Sequence, residues 1–156
     1  MSTPTIGKSA PAFTLAATGD QKIALRKLKG QIVVLYFYPR DATPGCTTES
    51  QDFRDAKKKF DKLNTIILGI SQDSIESHEK FAAKQSLNFD LLSDESGAVC
   101  RKYDVIKMKN MYGKKFEGIE RSTFLIDEKG ALRQEWRKVK VAGHVDAVLA
   151  AVKALS

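Results

Sequence analysis

The chain is poor in the residues that would staple it or bind a metal: 156 residues hold two cysteines, two histidines, four prolines and one tryptophan. Cys46 and Cys100 form neither a CxxC pair nor a zinc-ligand spacing, and with only His78 and His144 beside them a metal centre would have to gather four scattered ligands. No metal and no other cofactor is expected. Two cysteines also fall short of the framework of a stapled secreted domain, which leaves reactive thiol or buried hydrophobe as the readings for each. No run approaches the roughly 18 apolar residues of a membrane-spanning helix. The opening MSTPTIGKSAPAF lacks the basic segment and apolar run of a secretory signal, so a cytoplasmic chain with no membrane partner is expected. Internal repeats, low-complexity stretches and Pro/Gly-rich linkers are missing too, and residues 1–156 are expected to form one domain.

Positive charge is what the chain has in excess: 26 Lys+Arg against 19 Asp+Glu, a net +7. A basic balance raises nucleic acid as a partner. The densest runs, Lys57 to Lys59 and the lysines of KMKNMYGKK, come without a helix-turn-helix, zinc-finger or RNP-like string. Lys57 to Lys59 cover the polar side of a helix whose Phe53, Ala56 and Phe60 face inward. Both runs read as solvated faces, and no nucleic-acid partner is expected.

The apolar pattern is that of an α/β protein. After an early FTLAA and a TGDQ turn, IVVLYFY at 32–38 is a continuous run of β-branched and aromatic residues, as in a strand buried on both faces. Phe53, Ala56, Phe60 and Leu63 recur at helical spacing, and TIILGI at 65–70 is a second buried strand, so a β-α-β unit with parallel pairing is predicted. A helix from Ser74 to about Gln85 follows, with Asp73 and Glu76 at capping-box spacing. FDLL at 89–92 is a short strand, a helix from about Ser96 to Tyr103 carries Cys100, and KMKNMYGKKFEG reads as a basic, glycine-punctuated loop. STFLID and ALRQEW flank EKG as a hairpin, and Val145, Val148, Leu149, Val152 and Leu155 share one face of a last helix. The order suits a thioredoxin-like fold, a central mixed β-sheet flanked by helices.

The chemistry concentrates in FYPRDATPGCTTES. Pro44 and Gly45 stop the buried strand, and Thr47, Thr48 and Glu49 suit a helix's first turn. Cys46 therefore falls where unpaired backbone N–H groups and the positive end of the helix dipole converge. Both favour a thiolate, which makes Cys46 a candidate nucleophile; a semi-buried structural cysteine is the plainer alternative. The flanking residues tip the balance. Pro39, Thr43 and Cys46 satisfy P-x-x-x-T-x-x-C at a strand end, the active-site signature of peroxiredoxins. Together with LLSDESG, KFEGIERSTFLID and the C-terminal amphipathic helix, this makes nearly the whole chain resemble the bacterioferritin comigratory protein (Q-type) subfamily of thioredoxin-fold peroxiredoxins.

The resemblance implies that Cys46 is the peroxidatic cysteine, that the Thr43 hydroxyl orients a hydroperoxide, that Pro39 shapes the pocket and that Arg121 supplies the guanidinium. Without the resemblance, Arg121 would be read as a solvated strand-edge charge. Glu49 is a candidate for holding that arginine, although an acid in a first helical turn is also explained by the dipole. The implied reaction is attack of the thiolate on one peroxide oxygen, expelling water or an alcohol and leaving a sulfenic acid. A free thiol is already about 3% ionised at pH 7, so ionisation alone gains at most about 30-fold. Alignment by Thr43, Arg121 and the N–H groups near Gly45 and Cys46 has to supply the rest. Tyr38 and the loop from Met108 to Phe116 are candidate pocket walls, with core packing as the plainer reading.

Relatives in the subfamily carry a resolving cysteine five residues after the peroxidatic one, or in the next helix around Phe81 to Ala83. This chain has Gln51 at the first position and no cysteine at the second. Cys100 reads as a partly buried helix cysteine that would reach Cys46 only through local unfolding. A one-cysteine mechanism is therefore expected, its sulfenic acid resolved by thioredoxin or by glutaredoxin with glutathione, with Cys100 as resolving cysteine the alternative. The resemblance leans towards a monomer. Among rival thiol enzymes, a disulfide reductase needs a CxxC pair where this chain has Glu49, and papain-like catalysis needs His78 or His144 beside Cys46.

Overall fold

The computed structural model describes residues 4–155. In chain order these form β1 (Thr14–Ala17), β2 (Gln21–Ala24), a 3-10 turn (Leu25–Leu28), β3 (Ile32–Phe37), α1 (Pro44–Asp61), β4 (Thr65–Ser71) and α2 (Ile75–Gln85). Then follow β5 (Asp90–Ser93), α3 (Ala98–Lys102), β6 (Ile106–Met111), β7 (Lys114–Ile119), β8 (Ser122–Ile126), β9 (Leu132–Trp136) and α4 (His144–Leu155). Seven strands make one sheet in the order β2-β1-β5-β4-β3-β8-β9. The three central strands β5, β4 and β3 run parallel, as the β-α-β reading requires, and β8 joins β3 antiparallel. This is the thioredoxin-like mixed sheet.

Every residue of β3 is buried because both faces of the central strand are covered. Alternate side chains divide the core in two. Val33, Leu35 and Phe37 pack with Val99, Cys100 and Tyr103 on one face. Val34, Tyr36 and Tyr38 pack on the other with Cys46, Phe53 and Phe60 of α1, Phe81 of α2, and Val148 and Val152 of α4. The two cysteines therefore belong to opposite faces of the sheet. Phe53 is fully buried and stacks on Tyr36 at 4.7 Å between ring centroids, and burial of such a ring stabilises the α1 packing by about 2–3 kcal/mol.

Two sequence expectations need correcting. The segment KMKNMYGKKFEG is no loop: it forms β6 and β7, a hairpin with Met111 paired to Lys114 across Tyr112 and Gly113. Both turn residues have positive φ, 53° and 79°, as a two-residue hairpin turn of matching twist requires. The cap of α2 is Ser74 rather than Asp73, with Ser74 Oγ accepting from Ser77 N–H; Asp73 instead accepts from the Ser71 hydroxyl and the Asp41 N–H. Two adjacent residues able to cap a helix leave the sequence with no way to choose between them.

Candidate active site

The strand-to-helix junction after β3 carries the site. Helix α1 starts at Pro44, which needs no N–H at that position, and Thr43 precedes it as the N-cap in extended conformation. Cys46 thus sits in the first turn, one residue earlier in the chain than the predicted helix start. The sulfur is almost wholly enclosed, Cys46 being 1% exposed.

Arg121 reaches this thiol from the sheet. Phe37 pairs with Ser122, so Arg121, one residue ahead of β8, falls beside the end of β3 where the loop to α1 begins. Its backbone carbonyl accepts from Val139 N–H. Its Nη2 donates to Cys46 Sγ at 3.2 Å and its Nη1 donates to Glu49 Oε1 at 2.6 Å. A Cβ on Gly45 would stand 3.2 Å from that same Nη2, so a side chain at position 45 would crowd the guanidinium.

The charges are tightly balanced. Burial, with Oε2 lacking any partner among the described residues, pushes the Glu49 carboxyl up to about 7 against the pull of Arg121. Burial disfavours the guanidinium charge as well, but Glu49 and Cys46 beside it hold Arg121 above its ordinary value. A permanent cation is thereby fixed against the sulfur. Lys109, on β6, lies in the Met108 to Phe116 segment expected to wall the pocket. Burial and Arg121 lower its pKa while Cys46 and Glu120 raise it, so the hairpin brings a second cation towards the site.

The other expected residues are less closely gathered. Thr43 is half-buried, and its Oγ1 donates to the Arg40 carbonyl at 2.8 Å; Pro39 is half-buried at the start of the same loop. Tyr38 is no pocket wall, being fully buried with its hydroxyl donating to Asp41. Cys100 lies in the other core layer, where burial, and after it Asp94, push its thiol well up; a thiol in that setting is inert as a nucleophile. His144 contacts Thr123, and His78 contacts Asp41. A cavity of about 170 Å³ at the opposite end of β3, lined by Leu25, Val33 and Ile126, contains none of the residues around Cys46.

A thioredoxin-like sheet that places a thiol in a helix's first turn, against an arginine held by a buried glutamate, defines a thiol-dependent peroxidase. The chain belongs to the AhpC/TSA family, whose model matches residues 6–135. Peroxiredoxin Bcp of Xanthomonas campestris pv. campestris is 56% identical over 140 residues, covering 90% of this chain and 88% of the relative. Peroxiredoxin Bcp of Bacillus subtilis is 48% identical over 151 residues, covering 97% and 96%. Among solved structures, Xanthomonas campestris Peroxiredoxin Q superposes with a TM-score of 0.90 at 53% identity, covering 96% of this chain and 97% of that one. Peroxidoxin BcpB of Mycobacterium tuberculosis gives 0.86 at 31% identity, covering 98% and 99%.

Proposed function

We propose that the chain reduces hydrogen peroxide and organic hydroperoxides through a Cys46 sulfenic acid that an external thiol resolves. A solved structure of the Xanthomonas campestris bacterioferritin comigratory protein, 52% identical, is described in terms of alkyl peroxide reduction activity, which supports this substrate class. The observation that carries the reading is the Arg121 guanidinium shared between Cys46 Sγ and Glu49 Oε1. The Cys46 thiolate attacks one peroxide oxygen, the O–O bond breaks, and the leaving oxygen departs as water or an alcohol after taking a proton. Charge moves from sulfur to that oxygen during the step. Arg121 already touches the sulfur, so it can follow the charge onto the oxygens and stabilise the transition state more than the ground state. Thr43, at the helix N-cap, is the hydroxyl available to align the peroxide once its bond to the Arg40 carbonyl is exchanged for one to the substrate. Pro39 shapes the pocket, and the absence of a side chain at Gly45 leaves room for the Arg121 guanidinium.

The reductant is thioredoxin, or glutaredoxin with glutathione, acting in the cytoplasm on a single-domain monomer. No helix among the described residues is long and apolar enough to cross a membrane. Stopped-flow oxidation under excess peroxide tests the site. Cys46→Ser abolishes turnover, and Arg121→Ala slows oxidation by about 100-fold or more, the scale of losing a charge-stabilising donor. A near-parent rate in Arg121→Ala would overturn its role.

A further inference from the structure

The loop that carries the site is itself tied to α2 and β5 by a buried polar cluster that the reaction scheme above does not use. The Asp41 side chain is 3% exposed and His78 is fully buried. Asp41 Oδ1 accepts from the Tyr38 hydroxyl at 2.6 Å, and Oδ2 accepts from the Ser77 hydroxyl at 2.7 Å and contacts His78 Nδ1 at 2.8 Å. The Asp41 N–H donates to Asp73 Oδ2 at 2.8 Å, and that oxygen also accepts from the Ser71 hydroxyl. His78 Nε2 lies 2.9 Å from the Leu92 carbonyl. The titratable or charged groups facing His78 are thus Tyr38 just after β3, Asp41 from the loop and Asp73 ahead of α2.

A carbonyl only accepts, so His78 Nε2 faces Leu92 as a donor, while Nδ1 meets the Asp41 carboxylate. Burial would raise the Asp41 carboxyl, but His78, Tyr38 and Ser77, all bonded to it, hold it below its ordinary value. Although Asp41, Asp73 and His78 offer donor atoms within 4.8 Å of one another, Asp41 Oδ2 and Asp73 Oδ2 already accept hydrogen bonds within the cluster.

The loop needs such a hold. Ala42, between Asp41 and the N-cap Thr43, has φ of +63°, a left-handed conformation that costs a non-glycine residue about 1–2 kcal/mol and persists only where its surroundings impose it. Asp41 is pinned on one side of Ala42; on the other, Thr43 leads directly into the turn that holds Cys46.

We propose that Asp41 and His78 form a latch that positions the Thr43–Cys46 segment for the peroxide step, so that breaking their contact slackens the loop and slows the reaction. The latch rests on the assignment of Cys46 as the reacting thiol. These two are positioning residues, since neither touches the sulfur. The test compares stopped-flow oxidation by hydrogen peroxide with alkylation by iodoacetamide, which needs the thiol but no alignment of an O–O bond. Asp41→Ala is expected to lower the peroxide rate constant by about 10- to 100-fold, the usual effect of a small misplacement, while alkylation of Cys46 does not fall. Asp41→Asn, which can keep contacts to Tyr38 and His78, is expected to recover most of the rate lost in Asp41→Ala. A peroxide rate in Asp41→Ala within about twofold of the parent's, a parallel fall in alkylation, or an Asp41→Asn rate as low as that of Asp41→Ala would each overturn the latch. If Asp41→Ala does not fold, His78→Phe, which keeps a buried ring and removes the bond to Asp41, takes its place in the same comparison. Cys46→Ser in the same assay separates the two levels, because any peroxide reaction it retained would sink the site assignment rather than the latch.

Discussion

At the scale of single residues, the site is organised around one guanidinium with two claimants. Arg121 donates to both Cys46 and Glu49, and a fully buried Glu49 keeps its charge only through that contact. Its carboxyl, raised to about 7 against an ordinary 4.5, binds a proton more tightly folded than unfolded. Stability from this group is therefore fully present below about pH 4.5 and is lost as pH rises towards 7 and beyond. Glu49→Gln removes the titration. Its stability relative to the parent, measured by urea denaturation, should improve by about 2–3 kcal/mol between pH 5 and pH 8, and a difference independent of pH would refute the assignment. Legibility at this scale follows contiguity in sequence. Pro39, Thr43 and Cys46 lie within eight residues and could be read as one string. Arg121 lies 75 residues from Cys46 and was found only through family resemblance. Asp41 and His78, 37 residues apart, left no mark in the pattern, because their meeting is made by the parallel crossover between β3 and β4.

At the scale of elements, α1 is the lever that sets the thiol. Its N-terminus is anchored by Thr43 and Pro44, and no side-chain bond from Thr43 caps it, so the tertiary packing of Phe53 and Phe60 must hold the helix in place. Phe53→Ala should cost about 3–5 kcal/mol by opening a cavity under Tyr36. Thermal unfolding would register it, and a loss below about 1 kcal/mol would mean that α1 is held elsewhere. The long, strongly periodic elements were legible: β3 is buried throughout, α1 buries Phe53 and Phe60 with Ala56 half-buried, and α4 buries Val145, Val148, Leu149 and Val152 with Leu155 half-buried. The hairpin of β6 and β7 was not. Its residues Ile106 to Met111 are half-buried or exposed, so neither face carries the apolar alternation by which a strand is recognised, and its lysines and Gly113 resemble a loop. Half-burial of Lys109 shows what that misreading cost, since the hairpin is what brings a second cation towards Cys46.

At the scale of the whole molecule, the sheet decides how a cycle can close. Cys46 packs with Tyr36 and Tyr38 on one face, and Cys100 packs with Phe37 and Tyr103 on the other, so a continuous, fully buried strand stands between the sulfurs. A disulfide needs Cα atoms within about 7 Å, so bringing the two sulfurs together from opposite faces of the sheet would take local unfolding. Gln51, one turn and a half beyond Cys46, spends its amide on Gln85 of α2 at 2.8 Å, and Arg54 donates to the Gln85 carbonyl at 2.7 Å. Where a second thiol could have drawn the helices apart, these bonds tie them together. After one equivalent of peroxide, non-reducing mass spectrometry should therefore find a dimedone adduct on Cys46 and an unmodified Cys100. An intramolecular Cys46–Cys100 disulfide formed at the rate of peroxide consumption would contradict the fold as well as the one-cysteine cycle. With Cys46 and Cys100 on opposite faces of the sheet, external resolution predicts that recycling depends on the concentration of added reductant, and a turnover rate insensitive to it would be incompatible with that route.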